Sequence, residues 1–196
     1  MSVAALGRDF PSIWARPVIR AVDMRIFSLR YFRRCLECDF CADQCCNYGV
    51  DIDVENAARL LAQGPAFDDY VGQPRSRWFS GEPVADAEFP GGANLRTGTV
   101  DGHCVFRSAG GRGCRIHAFC LENGLDYHTL KPLVSTLFPL TFEHGVLMPS
   151  GEVLDRSLVC AGEGDSLYSG ARDELAYYFG AELVTALDAL AVRDAC

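Results

Sequence analysis

Five cysteines fall within the run Cys35-Leu-Glu-Cys38-Asp-Phe-Cys41-Ala-Asp-Gln-Cys45-Cys46. Two intervening residues allow a turn to aim successive thiolates at one centre, so the spacing itself points to metal chelation. Thiolate is a soft ligand that selects zinc, cuprous copper or iron-sulfur centres and leaves magnesium and calcium aside. Four more cysteines, Cys104, Cys114, Cys120 and Cys160, each stand beside a glycine-bearing turn or short loop that would let the backbone approach such a centre. With Cys35, Cys38, Cys41, Cys45 and Cys46 they make nine candidate ligands, enough for two four-ligand sites or for one centre with neighbouring redox thiols. Cys196, at the end of the chain, reads as an ordinary small apolar residue.

Up to Cys45, the intervals of two, two and three residues are those that wrap a 4Fe-4S cube in bacterial ferredoxins, with Cys46 standing where proline usually follows. In two-cluster ferredoxins the fourth cysteine serves the other cluster, and this chain has no second such run. A ligand from elsewhere is therefore expected. His103 and His117 adjoin Cys104 and Cys114 and are secondary candidates for zinc, since a loop histidine is more often a surface or hydrogen-bonded group. The spacing and the abundance of thiols favour an iron-sulfur cluster over zinc.

The elements that must position these residues are short. At 196 residues and 49% apolar, the chain can bury one substantial core, with one domain as the default. Asp53 can cap a helix through Val54, Ala57, Ala58, Leu60 and Leu61, which Gly64-Pro65 would stop. Pro65 to Asn94 reads as an irregular surface excursion pinned by Trp78, Phe79 and Phe89. Thr97 to Arg107 reads as short strands around a turn at Asp101-Gly102, and a second turn over 110–113 delivers Cys114. Val146–Met148 and Val153–Leu154 read as a hairpin across Pro149-Ser150-Gly151-Glu152. After Gly170, the apolar residues Leu175, Phe179, Leu183, Leu187 and Leu190 recur at helical spacing. The expected class is α+β: a small, irregular, loop-rich single domain with helices, short antiparallel strands and a cysteine-bound metal site. Within it, 1–34 would form an Arg-rich packed arm, 35–160 the cysteine region and 165–193 a C-terminal amphipathic helix.

Charge limits the partners. The net charge of −8 disfavours nucleic acid, whose phosphates need clustered Lys and Arg. Residues 1–34 nevertheless carry seven arginines against Asp9 and Asp23, a local +5 that leaves −13 for the rest. Such an arm balances an anionic thiolate centre, or else it is a solvated Arg-rich arm or a surface that meets an acidic protein partner. Phe10, Trp14, Ile19, Ile26 and Phe32 give it too much apolar bulk for a disordered tail. The apolar stretch Pro132 to Phe142 is too short to span a membrane, and Met1 to Arg8 lacks the pattern of a secretory signal. The expectation is a soluble cytoplasmic protein, where disulfides are rare and metal binding explains the ten cysteines.

The same residues resemble the YkgJ-type cysteine-cluster family, described as carrying a zinc- or iron-chelating domain. The likeness runs from about Cys35 to Leu140. Cys38-Asp-Phe-Cys41-Ala-Asp-Gln-Cys45-Cys46 is similar to that family's opening cysteine pair followed by a double cysteine. Val50-Asp-Ile-Asp-Val-Glu55, Gly102-His-Cys104-Val-Phe106 and Gly113-Cys114-Arg-Ile-His117 follow in the family's order, and Lys131-Pro132-Leu-Val-Ser135-Thr-Leu-Phe138-Pro139 is similar to its Arg-Pro-Leu-x-Cys-Arg-x-Phe-Pro element. Ser135 stands where the family commonly has cysteine, and the interval from His117 to Lys131 is longer and contains Cys120. The resemblance implies metal binding in a bacterial cytoplasm, with Cys120 or Cys160 replacing the missing thiol, and it supplies no substrate.

Three functions fit these residues. One is a protein whose metal ties loops together, closed to substrate. The second is an iron-sulfur oxidoreductase or electron-transfer protein, although no phosphate loop, nucleotide fingerprint or zinc-hydrolase signature names a reaction. The third is a metallochaperone or sensor exchanging an ion through Cys45-Cys46.

Overall fold

The computed structural model describes residues 2–34, 36–108, 110 and 112–194. Contacts gather into two compact units, Met1–Arg33 with Leu137–Cys196, and Arg34–Thr136. The chain leaves the first unit after Arg33 and returns to it at Leu137. The class is α+β, with helices and short, mostly antiparallel sheets.

In chain order the first unit begins with β1 (Val3–Pro11), β2 (Val18–Asp23) and β3 (Arg30–Tyr31). The second unit holds β4 (Asp51–Asp53), α1 (Val54–Leu61), α2 (Pro65–Val71), β5 (Phe79–Ala85), β6 (Ala93–Thr97), β7 (Thr99–Val100), β8 (His103–Cys104) and α3 (Arg115–Glu122). After α4 (Leu133–Leu137) come β9 (Leu140–Glu143), β10 (Val146–Pro149), α5 (Gly151–Leu154), β11 (Asp165–Ser166), α6 (Leu167–Phe179) and α7 (Ala181–Asp194).

The first unit is organised by a four-stranded sheet in the order β1-β2-β10-β9. Its inner strands are apolar, and Ile19, Val22 and Leu147 are fully buried. The N-terminal arm is therefore packed, as its apolar content requires, and it is built mainly of strands. Most of its arginines are engaged within the unit, among them Arg8 with Glu182, Arg20 with Asp9 at 3.0 Å, Arg25 with Asp23 at 2.6 Å, and Arg33 with the Phe138 and Gly170 carbonyls.

Two expectations are corrected here. β10 pairs with β9, not with residues 153–154, because His144 and Gly145 both take positive φ and make the two-residue turn that a right-twisted hairpin favours. Residues 151–154 form α5 instead. The stripe from Leu175 to Leu187 is buried as core, but it belongs to two helices: Gly180, at φ 84° and ψ 165°, breaks the chain between α6 and α7 in a conformation open to glycine alone. The two helices are tied by Arg172 donating to Asp188 at 2.8 Å and by the Tyr168 hydroxyl donating to the same carboxylate at 2.5 Å.

The second unit is built on the sheet β4-β6-β5 and the helices α1 to α3. The Asp53 cap forms as expected, its carboxylate accepting from the Asn56 amide at 2.6 Å. Residues 65–94 are more ordered than the prolines suggest. Pro65 opens α2, since a proline at the first helical position gives up an amide that has no partner there anyway. Pro83 lies on the edge strand β5, where a missing amide costs no ladder bond. Trp78 is the expected pin: fully buried, it stands edge-on to Phe67 and Phe106, each at 5.5 Å, and its indole N–H donates to the Gln73 carbonyl at 2.9 Å. The turn at Asp101-Gly102 joins β7 to β8, with both residues at positive φ. Among the described residues, no helix is long and apolar enough to cross a membrane.

Candidate metal centre

Residues 36–47 form turns instead of a regular element, apart from the short 3-10 helix Gln44–Cys46. The amide of Gln44 donates to the Cys41 carbonyl at 3.2 Å and that of Cys46 to the Asp43 carbonyl at 2.8 Å, so the chain coils tightly over its cysteines. The coil turns Cys38 and Cys41 inward, to 1% and 5% exposure, and leaves Leu36 and Phe40 exposed. The Cys38 and Cys41 sulfur atoms lie within 4.8 Å of each other. Two buried thiols at this separation repel once ionised and suit a cation between them, so they could bind a metal ion.

The backbone is strained at this point. Ala42 and Asp43 are consecutive residues in the left-handed region, at φ 48° and 55°. Holding non-glycine residues there costs on the order of 1 kcal/mol or more each, so neighbouring contacts must enforce it. One such contact is Asp43 itself. It is buried, accepts from the Gly113 amide at 3.2 Å, and faces the Arg107 guanidinium at 3.7 Å. Arg107 also donates to the Ala42 carbonyl at 3.2 Å, and Arg112 to the Asp39 carbonyl at 3.1 Å. The Nε of Arg107 is buried without a hydrogen-bond acceptor among the described residues. Asn47 completes the attachment through the His103 ring, with Oδ1 and Nδ1 2.7 Å apart.

The remaining candidates are distributed differently. Cys45 and Cys46 are half-buried and follow the pair on the same coil. Cys104 lies on β8, its sulfur 3.4 Å from the Thr97 hydroxyl, which in turn accepts from the Val50 amide at 2.8 Å. Gly49 makes this approach possible, because a Cβ there would stand 2.5 Å from the Thr97 carbonyl oxygen. Cys114 is the N-cap of α3, and Cys120 lies inside the same helix in the apolar core. Among the described residues, Cys45, Cys46, Cys104, Cys114 and Cys120 join no group of three ligand atoms within 4.8 Å. Cys160 belongs to the first unit, where it is buried and its carbonyl accepts from the Phe32 amide at 3.2 Å. Cys35 and Cys196 lie outside the described residues.

Electrostatics separates the thiols further. Burial pushes Cys120 up to about 11, and the neighbouring Cys114 and Asp126 act in the same direction. Burial also raises Cys114, while Lys131 and the amides of His117 and Ile116 partly oppose it. Burial thus disfavours ionisation of both thiols, and Cys120 packs as a core residue.

Burial lowers His117 to about 4, helped by Lys131 and His128, and its ring lies 4.3 Å from that of Tyr127. The folded protein therefore binds fewer protons here than the unfolded chain between about 4 and 6.5, so the stabilisation is complete above 6.5 and is lost as pH falls toward 4. The difference amounts to at most about 3 kcal/mol, less for the part of the ring still in water. We expect His117→Gln to flatten this acid slope in denaturant unfolding between pH 7 and pH 4.5. A slope unchanged from the parent protein would contradict it.

No family model, no curated protein and no solved structure matches this chain. The residues that sequence reasoning missed are Asp43, Arg107 and Asn47. Their only signal was an acid placed inside a cysteine run, where an unpaired carboxylate would oppose thiolate ionisation.

Proposed function

We propose that this chain is a thiolate metal-binding protein whose centre is anchored by Cys38 and Cys41. The observation that carries the reading is the buried pair, with its two-residue interval and sulfur atoms within 4.8 Å. The donor set fits a soft metal and no hard cation. We assign an iron-sulfur cluster, 4Fe-4S, as its occupant, supported by the ferredoxin-like intervals from Cys35 to Cys45. Such a cluster would supply one-electron chemistry or simply fasten loops. We also propose distant kinship with the YkgJ-type cysteine-cluster proteins, supported by the order of motifs in the sequence.

A second reading, structural zinc, is favoured by the closeness of the two sulfurs. At a Zn–S length of about 2.3 Å, tetrahedral ligands stand roughly 3.8 Å apart, within the observed limit, whereas the cysteines of a cube each bind a different iron. Anaerobic purification separates the two. The cluster reading expects brown protein with broad visible absorption, together with iron and acid-labile sulfide. Colourless protein with stoichiometric zinc would transfer the assignment to the second reading. Cys35→Ser, Cys45→Ser, Cys46→Ser and Cys160→Ser, measured in the same way, identify the remaining ligands.

A further inference from the structure

We propose that Asp43 and Arg107 are the positioning residues of this centre, a buried ionic clasp that holds the Cys38–Cys46 coil in its chelating shape. The inference rests on the metal-binding reading and adds the device that pre-forms the site. Three independent observations converge on it. Ala42 and Asp43 occupy the left-handed region between Cys41 and Cys45, so the coil has a shape its own residues do not prefer. The Asp43 carboxylate is buried inside the cysteine run and fixed from outside the run, by the Gly113 amide at 3.2 Å and Arg107 at 3.7 Å. Arg107 and Arg112 donate to the carbonyls of Ala42 and Asp39, the residues that follow Cys41 and Cys38 in the chain.

The clasp performs two tasks. It fixes the backbone that follows the two cysteines, and Arg112 adds a guanidinium charge over the coil beyond the Asp43–Arg107 pair, which is neutral on balance. The Arg-rich arm of residues 1–34 offered that charge in sequence, but most of its arginines are engaged by carboxylates and carbonyls of their own unit. Asp43 also explains why an acid is tolerated among thiolates: its charge is matched by Arg107 and is not left to oppose them.

The test uses metal-loaded full-length protein and an excess of a colorimetric zinc or ferrous-iron chelator. Asp43→Asn and Arg107→Gln are expected to release metal about tenfold or more faster than the parent, the range seen when groups supporting a metal ligand are lost. The double variant should be less than additive, because the two side chains act as one unit. The metal-thiolate absorption band should shift in Asp43→Asn and stay in place in Asp68→Asn, which breaks the surface pair with Arg75. Should Asp43→Asn fail to fold, Arg107→Lys, which keeps the charge and loses the planar fork, is expected to release metal severalfold faster. Parental release rates and an unshifted band in a metal-bearing protein would overturn the clasp and leave the metal reading intact. A parent protein without metal would overturn both.

Discussion

Replacing Cys38 or Cys41 by serine is expected to empty the centre and loosen much of the second unit. Serine keeps the shape but offers a hard, poorly ionised oxygen where a soft thiolate is required. Residues 36–47 have little regular structure of their own, so their order depends on what the two sulfurs hold. Thiolate-bound zinc is worth roughly 10–16 kcal/mol in small zinc domains, and that binding energy is folding energy. Loss of one ligand should therefore remove on the order of 5 kcal/mol and lower Tm by on the order of 10 °C or more. Metal per chain, read by elemental analysis of the purified variants, should fall close to zero. Cys120→Ala supplies the contrast: its thiol is protonated and packed in the core, so the variant should lose modest stability and keep its metal. Equal metal content in Cys41→Ser and the parent would remove Cys41 from the centre.

The second large effect concerns the frame behind the coil. Trp78→Ala is expected to cost about 3–5 kcal/mol, the range for deleting a fully buried large aromatic. The side chain is 0% exposed, and its edge-to-face contacts continue from Phe67 to Phe119, whose ring lies 5.0 Å away. Little space can close after its removal, because it packs on Phe67 of α2 and on Phe106, within one buried cluster that also holds Ile116 and Phe119 of α3. Trp78→Phe should cost less, keeping the ring contacts and losing the bond to the Gln73 carbonyl. Denaturant unfolding of the two variants decides the matter, and a loss below about 1 kcal/mol for Trp78→Ala would show that the core does not centre on this residue.

What could be read from the sequence was local. The Asp53 cap and the Asp101-Gly102 turn depend on residues within a few positions of one another, whereas the turn expected over 110–113 lies partly outside the described residues. The errors came where one residue has two local meanings. Gly64-Pro65 reads as a helix stop, and it serves as both stop and start: α1 ends at Leu61 and α2 opens at Pro65. Gly180 interrupts a stripe whose periodicity is continuous enough to suggest one helix. At 144–154 the signal around Gly151 suggests a hairpin turn, but the turn that forms is His144-Gly145, between strands of equal length.

The site divides along the same line. The inward turn of Cys38 and Cys41 follows from their two-residue interval. The clasp does not, because Asp43 meets Gly113 and Arg107 only after the chain has passed through α1, α2 and the sheet. Burial of Cys120 was likewise hidden, since a cysteine in an apolar helix face and a cysteine that awaits a metal look the same in sequence.

X-ray absorption at the metal edge of freshly isolated protein bears most directly on the account, because it reads the element and its nearest atoms together. The account predicts a transition metal with a shell of sulfur at about 2.3 Å, retained in Cys120→Ala and absent in Cys41→Ser. A folded protein that carries no such metal, or one whose metal is surrounded by nitrogen and oxygen alone, would contradict it.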